Sequence, residues 1–186
     1  MAKIKVIPPE DASGRLKEIY DDLIKSRGKL ADVHKIQSLR PESIVKHMDL
    51  YMELMYTKSE LSRAEREMIA VVVSAANKCE YCQIHHAHAL NHYWKNDAKI
   101  NALRTNYAFE NSTKREQVLI QYAKKLTITP GDCQQDSLVH LKEVGLTDSG
   151  ILDATMVIAY FNFVNRIVLS LGVEVEEDDG GGYSYD

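Results

Sequence analysis

The 186-residue chain is poor in several features that would assign it to a class at once. It has no excess of positive charge. Its 23 Lys and Arg against 27 Asp and Glu leave a net charge of −4, which provides no basic face for nucleic acid. It has no apolar run of the roughly 18–20 residues that crosses a membrane. The longest candidate, 151–171, is interrupted by Asp153, Asn162, Asn165 and Arg166. The first nine residues carry charge but no apolar h-region, so a secretory signal is not expected. Cysteine is scarce: three residues cannot all pair within one chain, and in a reducing compartment a Cys-x-x-Cys pair signals redox or metal chemistry more often than a staple. The alternation of a β-strand is missing except in short pieces at the ends. What remains, 45% apolar and 27% charged residues, is ordinary for a soluble, cytoplasmic, single-domain protein.

Helical signals fill the chain. Ser13 is placed to cap a helix to about Ser26, with Leu16, Ile19, Tyr20, Leu23 and Ile24 on one face, and Gly28 ends it. A short helix or turn over 31–39 precedes a helix opened by Pro41, where Met48, Met52 and Met55 read as core packing. Ser62 and Glu65 match a capping box, and the helix after them is apolar nearly all round and so central. Asn77-Lys78 is its expected end, with Asn77 in the left-handed cap conformation. Further helices are expected from Cys79 or Glu80 to Trp94, from Asn96 to Leu103, from a Ser112 or Thr113 cap to Leu126, from Gln134 to Val144, and from a Thr147 cap to about Leu171. The expectation is all-α: a helical domain over 1–173, divided into N-terminal helices at 10–58 and a core at 61–173. An acidic, Gly-rich tail over 174–186 lacks the apolar residues to order it.

Chemistry concentrates between Ser62 and Trp94. On a helix, Cys79, Cys82 and His86 fall within about one 60° stripe, and Cys82 and His86 are an i,i+4 pair that can touch. His85, His88 and His92 fall off that stripe and read as surface residues. Unpaired N–H groups and the positive dipole end at a helix start favour a thiolate, the reactive form. A break near Asn77 would let two antiparallel helices bring Glu67 back over His86. Buried structural cysteines and a zinc site made of Cys79, Cys82, His86 and Glu67 are the alternatives, although one helix face holds a tetrahedral set poorly. Cys133, alone after Pro130-Gly131-Asp132, reads as incidental. Asn162, Asn165 and Arg166 share one face of an apolar helix and must bond something buried: the site, a helix end or a neighbouring subunit.

Glu67, eleven residues, Cys79-x-x-Cys82, three residues and His86 together resemble the signature of the AhpD-like alkylhydroperoxidases, within the carboxymuconolactone decarboxylase superfamily. The segments 61–67, 81–86 and 159–166 resemble its peroxidase-related branch. The resemblance implies an all-helical homo-oligomer (dimer, trimer or hexamer) with a disulfide-cycling peroxidase site. By carry-over, Cys82 is the peroxidatic thiol, Cys79 the resolving thiol, His86 the base, and Glu67 the residue completing the relay. The substrate is a hydroperoxide, the reductant a lipoamide-like dithiol or a protein thiol, and no haem, flavin or metal is needed. One departure stands out. Tyr81 occupies the place between the cysteines where the best-studied AhpD pattern has a second His, and Tyr is a weaker proton carrier near neutral pH. A decarboxylase-like acid/base enzyme using Glu67 and His86, and a non-enzymatic redox or zinc-binding protein, are the alternative functions.

Overall fold

The structure is a computed structural model and describes residues 2–133 and 135–176. Among these there is no strand, and the expected all-α class holds. The helices are α1 (Gly14–Arg27), α2 (Asp32–Lys35), α3 (Pro41–Tyr56), α4 (Arg63–Ala76), α5 (Glu80–Trp94), α6 (Asp97–Asn106), α7 (Lys114–Ile128), α8 (Gln135–Glu143) and α9 (Asp148–Leu171). The expected start of α8 at Gln134 lies outside the described residues, as does the tail from 177 onward.

α4 is the central element. Every residue from Arg66 to Ala75 is buried, and the helix packs against α5, α7 and α9. Each fully buried Met, Ile or Val there contributes about 1.5–3 kcal/mol. Its start is the capping box foreseen at Ser62 and Glu65, and Thr113 with Glu116 forms another at α7. Ser13 and Thr147 occupy N-cap positions without capping through their own side chains. Glu60 does the work at α9, its carboxylate accepting from the Thr147 backbone N–H at 3.0 Å and from the Thr147 hydroxyl. Arg66, although buried, is satisfied by the carbonyls of Leu54, Thr57 and Leu61 where the chain leaves α3.

The apolar residues form two clusters. A small one joins α1 to Leu30 and Ile44. A large one runs through α4, α5, α7 and α9. α9 is long and apolar enough by composition to cross a membrane, but its Ile151, Ala154, Val157, Ile158, Phe161 and Val168 are buried in this core. Met52 is exposed, so the expected Met48–Met52–Met55 packing group loses its middle member.

Candidate active site

The break between α4 and α5 positions the thiols. Lys78, not Asn77, takes the left-handed conformation, with φ of 57°, while Asn77 stays helical at φ −81°. The Cys79 N–H then reaches back to the Ser74 carbonyl at 2.8 Å and closes the helix end. Asn77 contributes through its side chain instead, donating to both Asn162 Oδ1 and Asn165 Oδ1 on α9 at 3.0 Å. Three helices are thereby tied at one point, and Cys79 becomes the N-cap of α5.

Cys79 and Cys82 are free thiols and both are buried. The Cys82 thiol hydrogen-bonds to the Cys79 sulfur. This bond lowers the Cys79 pKa against the opposing effect of burial, with help from the Cys82 backbone N–H. Cys82 is pushed well up by the same bond and by burial, and the Asn165 side chain partly offsets this. The contact between the two sulfurs thus favours ionisation at Cys79 and opposes it at Cys82.

The break also folds α4 back beside α5, as the sequence requires for Glu67 to meet His86. Glu67 is wholly buried. One carboxylate oxygen accepts from Arg63 at 2.8 Å and the other faces His86 Nδ1 at 2.7 Å. A carboxylate only accepts, so Nδ1 carries the hydrogen and Nε2 is left as the accepting nitrogen. The Phe161 ring edge packs on the imidazole with centroids 4.4 Å apart and holds its plane.

Cys82 and His86 open on a cavity of about 100 Å³ at the seam between the two apolar clusters. Its walls are largely apolar and aromatic, with Val33, Met48, Tyr51, Ala89, Phe161 and Val164 among them. Cys79 instead borders a separate recess of about 540 Å³, shared with Ile84, Leu169 and Val173. The two cysteines thus line different openings.

Several site residues were not foreseen. His85, read as a surface residue, lines the cavity, stacked on Tyr81 with centroids 4.1 Å apart. Glu176, assigned to an unordered tail, lies against both. Its carboxylate accepts from the Tyr81 hydroxyl at 2.9 Å and from the Asp32 N–H at 3.0 Å, and it pairs with His85 Nε2 at 2.9 Å. Burial alone would raise its pKa, but these partners hold it down at about 2. Glu176 lies beyond the expected boundary at 173 and is held by paired charge rather than by apolar burial. Tyr81 is committed to Glu176 and His85. In the same lining, His47 Nε2 lies 2.7 Å from the Tyr160 hydroxyl, and Gln37 Nε2 lies 2.8 Å from His47 Nδ1. The signal for His85 was present, since Tyr81 and His85 are an i,i+4 pair. For His47, Tyr160 and Glu176 no local signal exists.

Of the three polar residues singled out on α9, Asn165 reaches the site and Asn162 secures the α4 end. Arg166 is exposed and bonds the Asn162 carbonyl and side chain. Among the described residues no three His, Cys, Asp or Glu side chains converge in a way that could hold a metal ion. Glu67 is already taken by Arg63 and His86. Cys133 follows the Pro130–Asp132 turn, its thiol raised by burial.

Residues 45–125 match the carboxymuconolactone decarboxylase family. The structure is similar to that of an uncharacterized peroxidase-related protein from Silicibacter sp. TM1040, which is 27% identical. That match has a TM-score of 0.84 and covers 97% of this chain and 98% of that one. The alkylhydroperoxidase AhpD core of an uncharacterized peroxidase-related protein from Ralstonia eutropha JMP134 matches with a TM-score of 0.86 at 23% identity, over 96% and 94% of the two chains. The debrominase Bmp8, as a cysteine-to-alanine form in complex with 2,3,4-tribromopyrrole, shares the fold with a TM-score of 0.78 at 17% identity, over 96% of each chain.

Proposed function

We propose, from the premise that this chain has the fold and sequence pattern of the AhpD-like branch of the carboxymuconolactone decarboxylase superfamily, that it is a thiol-dependent peroxidase. The observation that carries the reading is a single one. A dithiol at a helix N-terminus has one sulfur on a cavity wall beside a histidine whose far nitrogen is held by a buried carboxylate.

The steps follow from that geometry. His86 Nε2 takes the Cys82 proton, while Glu67 steadies the imidazolium that forms. The Cys82 thiolate attacks the terminal oxygen of a hydroperoxide and the O–O bond breaks. Cys82 becomes a sulfenic acid, and the alkoxide recovers the proton from His86 and leaves as an alcohol. Cys79, whose thiol is already drawn toward the anion, attacks the sulfenic sulfur, and water leaves as the disulfide closes. A dithiol reductant of the lipoamide type, or a protein thiol, then regenerates both cysteines by exchange. A lactone-directed acid–base enzyme would need only Glu67 and His86 and would leave the paired thiols without a task.

Single-turnover peroxide consumption in two variants tests the assignment. Cys82→Ser is expected to consume none, whereas Cys79→Ser is expected to complete one turnover and stop at the sulfenic acid. Reversed behaviour would exchange the two roles. Full turnover with both cysteines replaced would falsify the peroxidase reading.

A further inference from the structure

The wall of the same cavity holds a polar chain that the mechanism above leaves unused. Gln37 on the α2–α3 connection donates from Nε2 both to the Val33 carbonyl and to His47 Nδ1, each at 2.8 Å. A carbonyl oxygen can only accept, so the amide nitrogen is fixed there and His47 Nδ1 must be the acceptor. The His47 hydrogen is then on Nε2, directed to the Tyr160 oxygen at 2.7 Å. A phenol that accepts in this way keeps its own hydrogen to give. No other partner takes it among the described residues. Two neighbouring observations point to a ligand on that side. His34, on the same cavity wall and edge-on to His47 with centroids 5.5 Å apart, has a buried Nδ1 with no hydrogen-bond partner. Met48, Phe161 and Val164 of the same lining are apolar and do not compete for the proton, and Tyr51, tilted against Tyr160 with centroids 6.0 Å apart, shares no hydrogen bond with it among the described residues.

Resting on the peroxidase reading, we propose that Tyr160 is the hydrogen-bond donor to the leaving oxygen of the hydroperoxide, with His47 and Gln37 as positioning residues behind it. Cys82 and Tyr160 line the same small cavity, and a charge on Cys82 is felt at the Tyr160 hydroxyl. Burial first, then the nearby Tyr51 and Cys82, raise the phenol well above its ordinary pKa, so it stays protonated. When the thiolate attacks the terminal oxygen, negative charge develops on the inner one. A preset neutral donor stabilises that charge without reorganising. The proton that completes the alcohol still comes from His86, so the balance of the reaction is unchanged. The substrate class follows from the walls: a compact apolar hydroperoxide with one oxygen for Tyr160 to bind.

The test is the rate of Cys82 oxidation in the reduced protein, measured in wild type, Tyr160→Phe, His47→Leu and His47→Gln. Three oxidants of graded leaving group serve: tert-butyl hydroperoxide, hydrogen peroxide and peroxybenzoic acid. Tyr160→Phe is expected to lose about a hundredfold with tert-butyl hydroperoxide, whose alkoxide is the poorest leaving group, and little with the peracid. His47→Leu should lose about tenfold in the same order, and His47→Gln, which still offers an N–H, should recover most of it. Alkylation of Cys82 by iodoacetamide should be equal in all four proteins, which separates a donor from a prop of the fold. Equal rates in wild type and Tyr160→Phe, or equal losses across every reagent including iodoacetamide, overturn the inference alone. A wild type inert to all three oxidants overturns the peroxidase reading and the inference with it.

Discussion

Glu67 is the residue on which the site's charges depend. It is completely buried between Arg63 and His86, so removing Arg63 leaves a carboxylate in the core with a single partner. Arg63→Met is expected to destabilise the fold by about 3 kcal/mol in a denaturant titration. Two buried histidines set a second expectation at this scale. Burial lowers His47 to about 4, and burial, reinforced by the charges of His47 and Arg27, lowers His34 to about 3, both from 6.5. The unfolded chain therefore binds these protons more readily. The stability they contribute is complete above pH 6.5 and is lost as pH falls toward 4 and 3. For His47 alone the change is on the order of 3 kcal/mol. Melting temperature should fall steadily below pH 6.5, and His47→Gln should flatten the fall. Residues whose partners lie within one helical hairpin, such as Cys82, His86 and Glu67, were legible in the sequence because motif spacing and helical period place them. Tyr160 and His47 are 113 positions apart, and only tertiary packing joins them.

The α4–α5 junction is the element that makes a site out of a sequence motif. Its existence was legible from the Asn77-Lys78 pair, but its mechanics were not. The left-handed residue is Lys78, and Asn77 serves as a side-chain anchor to α9. Lys78→Gly should therefore raise stability by about 0.5–1 kcal/mol, seen as a higher thermal midpoint, because glycine adopts that conformation without steric cost. Asn77→Ala removes two hydrogen bonds that hold the junction and should cost about 1–3 kcal/mol. It should also slow Cys82 oxidation, since Asn165, whose side chain offsets the raised Cys82 pKa, loses the donor to its Oδ1 and is held only through Ser74. Glu176 teaches the complementary lesson. Low hydrophobicity marked its segment as unordered, yet a carboxylate shared by Tyr81, His85 and the Asp32 N–H anchors it, and residue composition does not record such pairings.

At the scale of the molecule, the cavity lies at the seam where the N-terminal cluster meets the α4–α9 core, so both parts build one site. The outer face of α9 is left apolar. Leu152, Met156, Ala159 and Phe163 follow the i, i+4, i+7, i+11 spacing of one helical stripe and are all exposed. A second copy of the chain is the expected cover, in keeping with the homo-oligomer that the family resemblance implies. Light scattering should give a multiple of the 21.1 kDa chain mass, and Leu152→Asp with Phe163→Asp should reduce it to the monomer. The central claim is the redox cycle, and thiol titration tests it most directly. The reduced protein, given one equivalent of tert-butyl hydroperoxide, should lose two of its three free thiols while Cys133 stays reduced. Cys79→Ser should instead yield a sulfenic acid at residue 82 that reacts with a 1,3-diketone. Retention of all three thiols after peroxide addition would contradict the account.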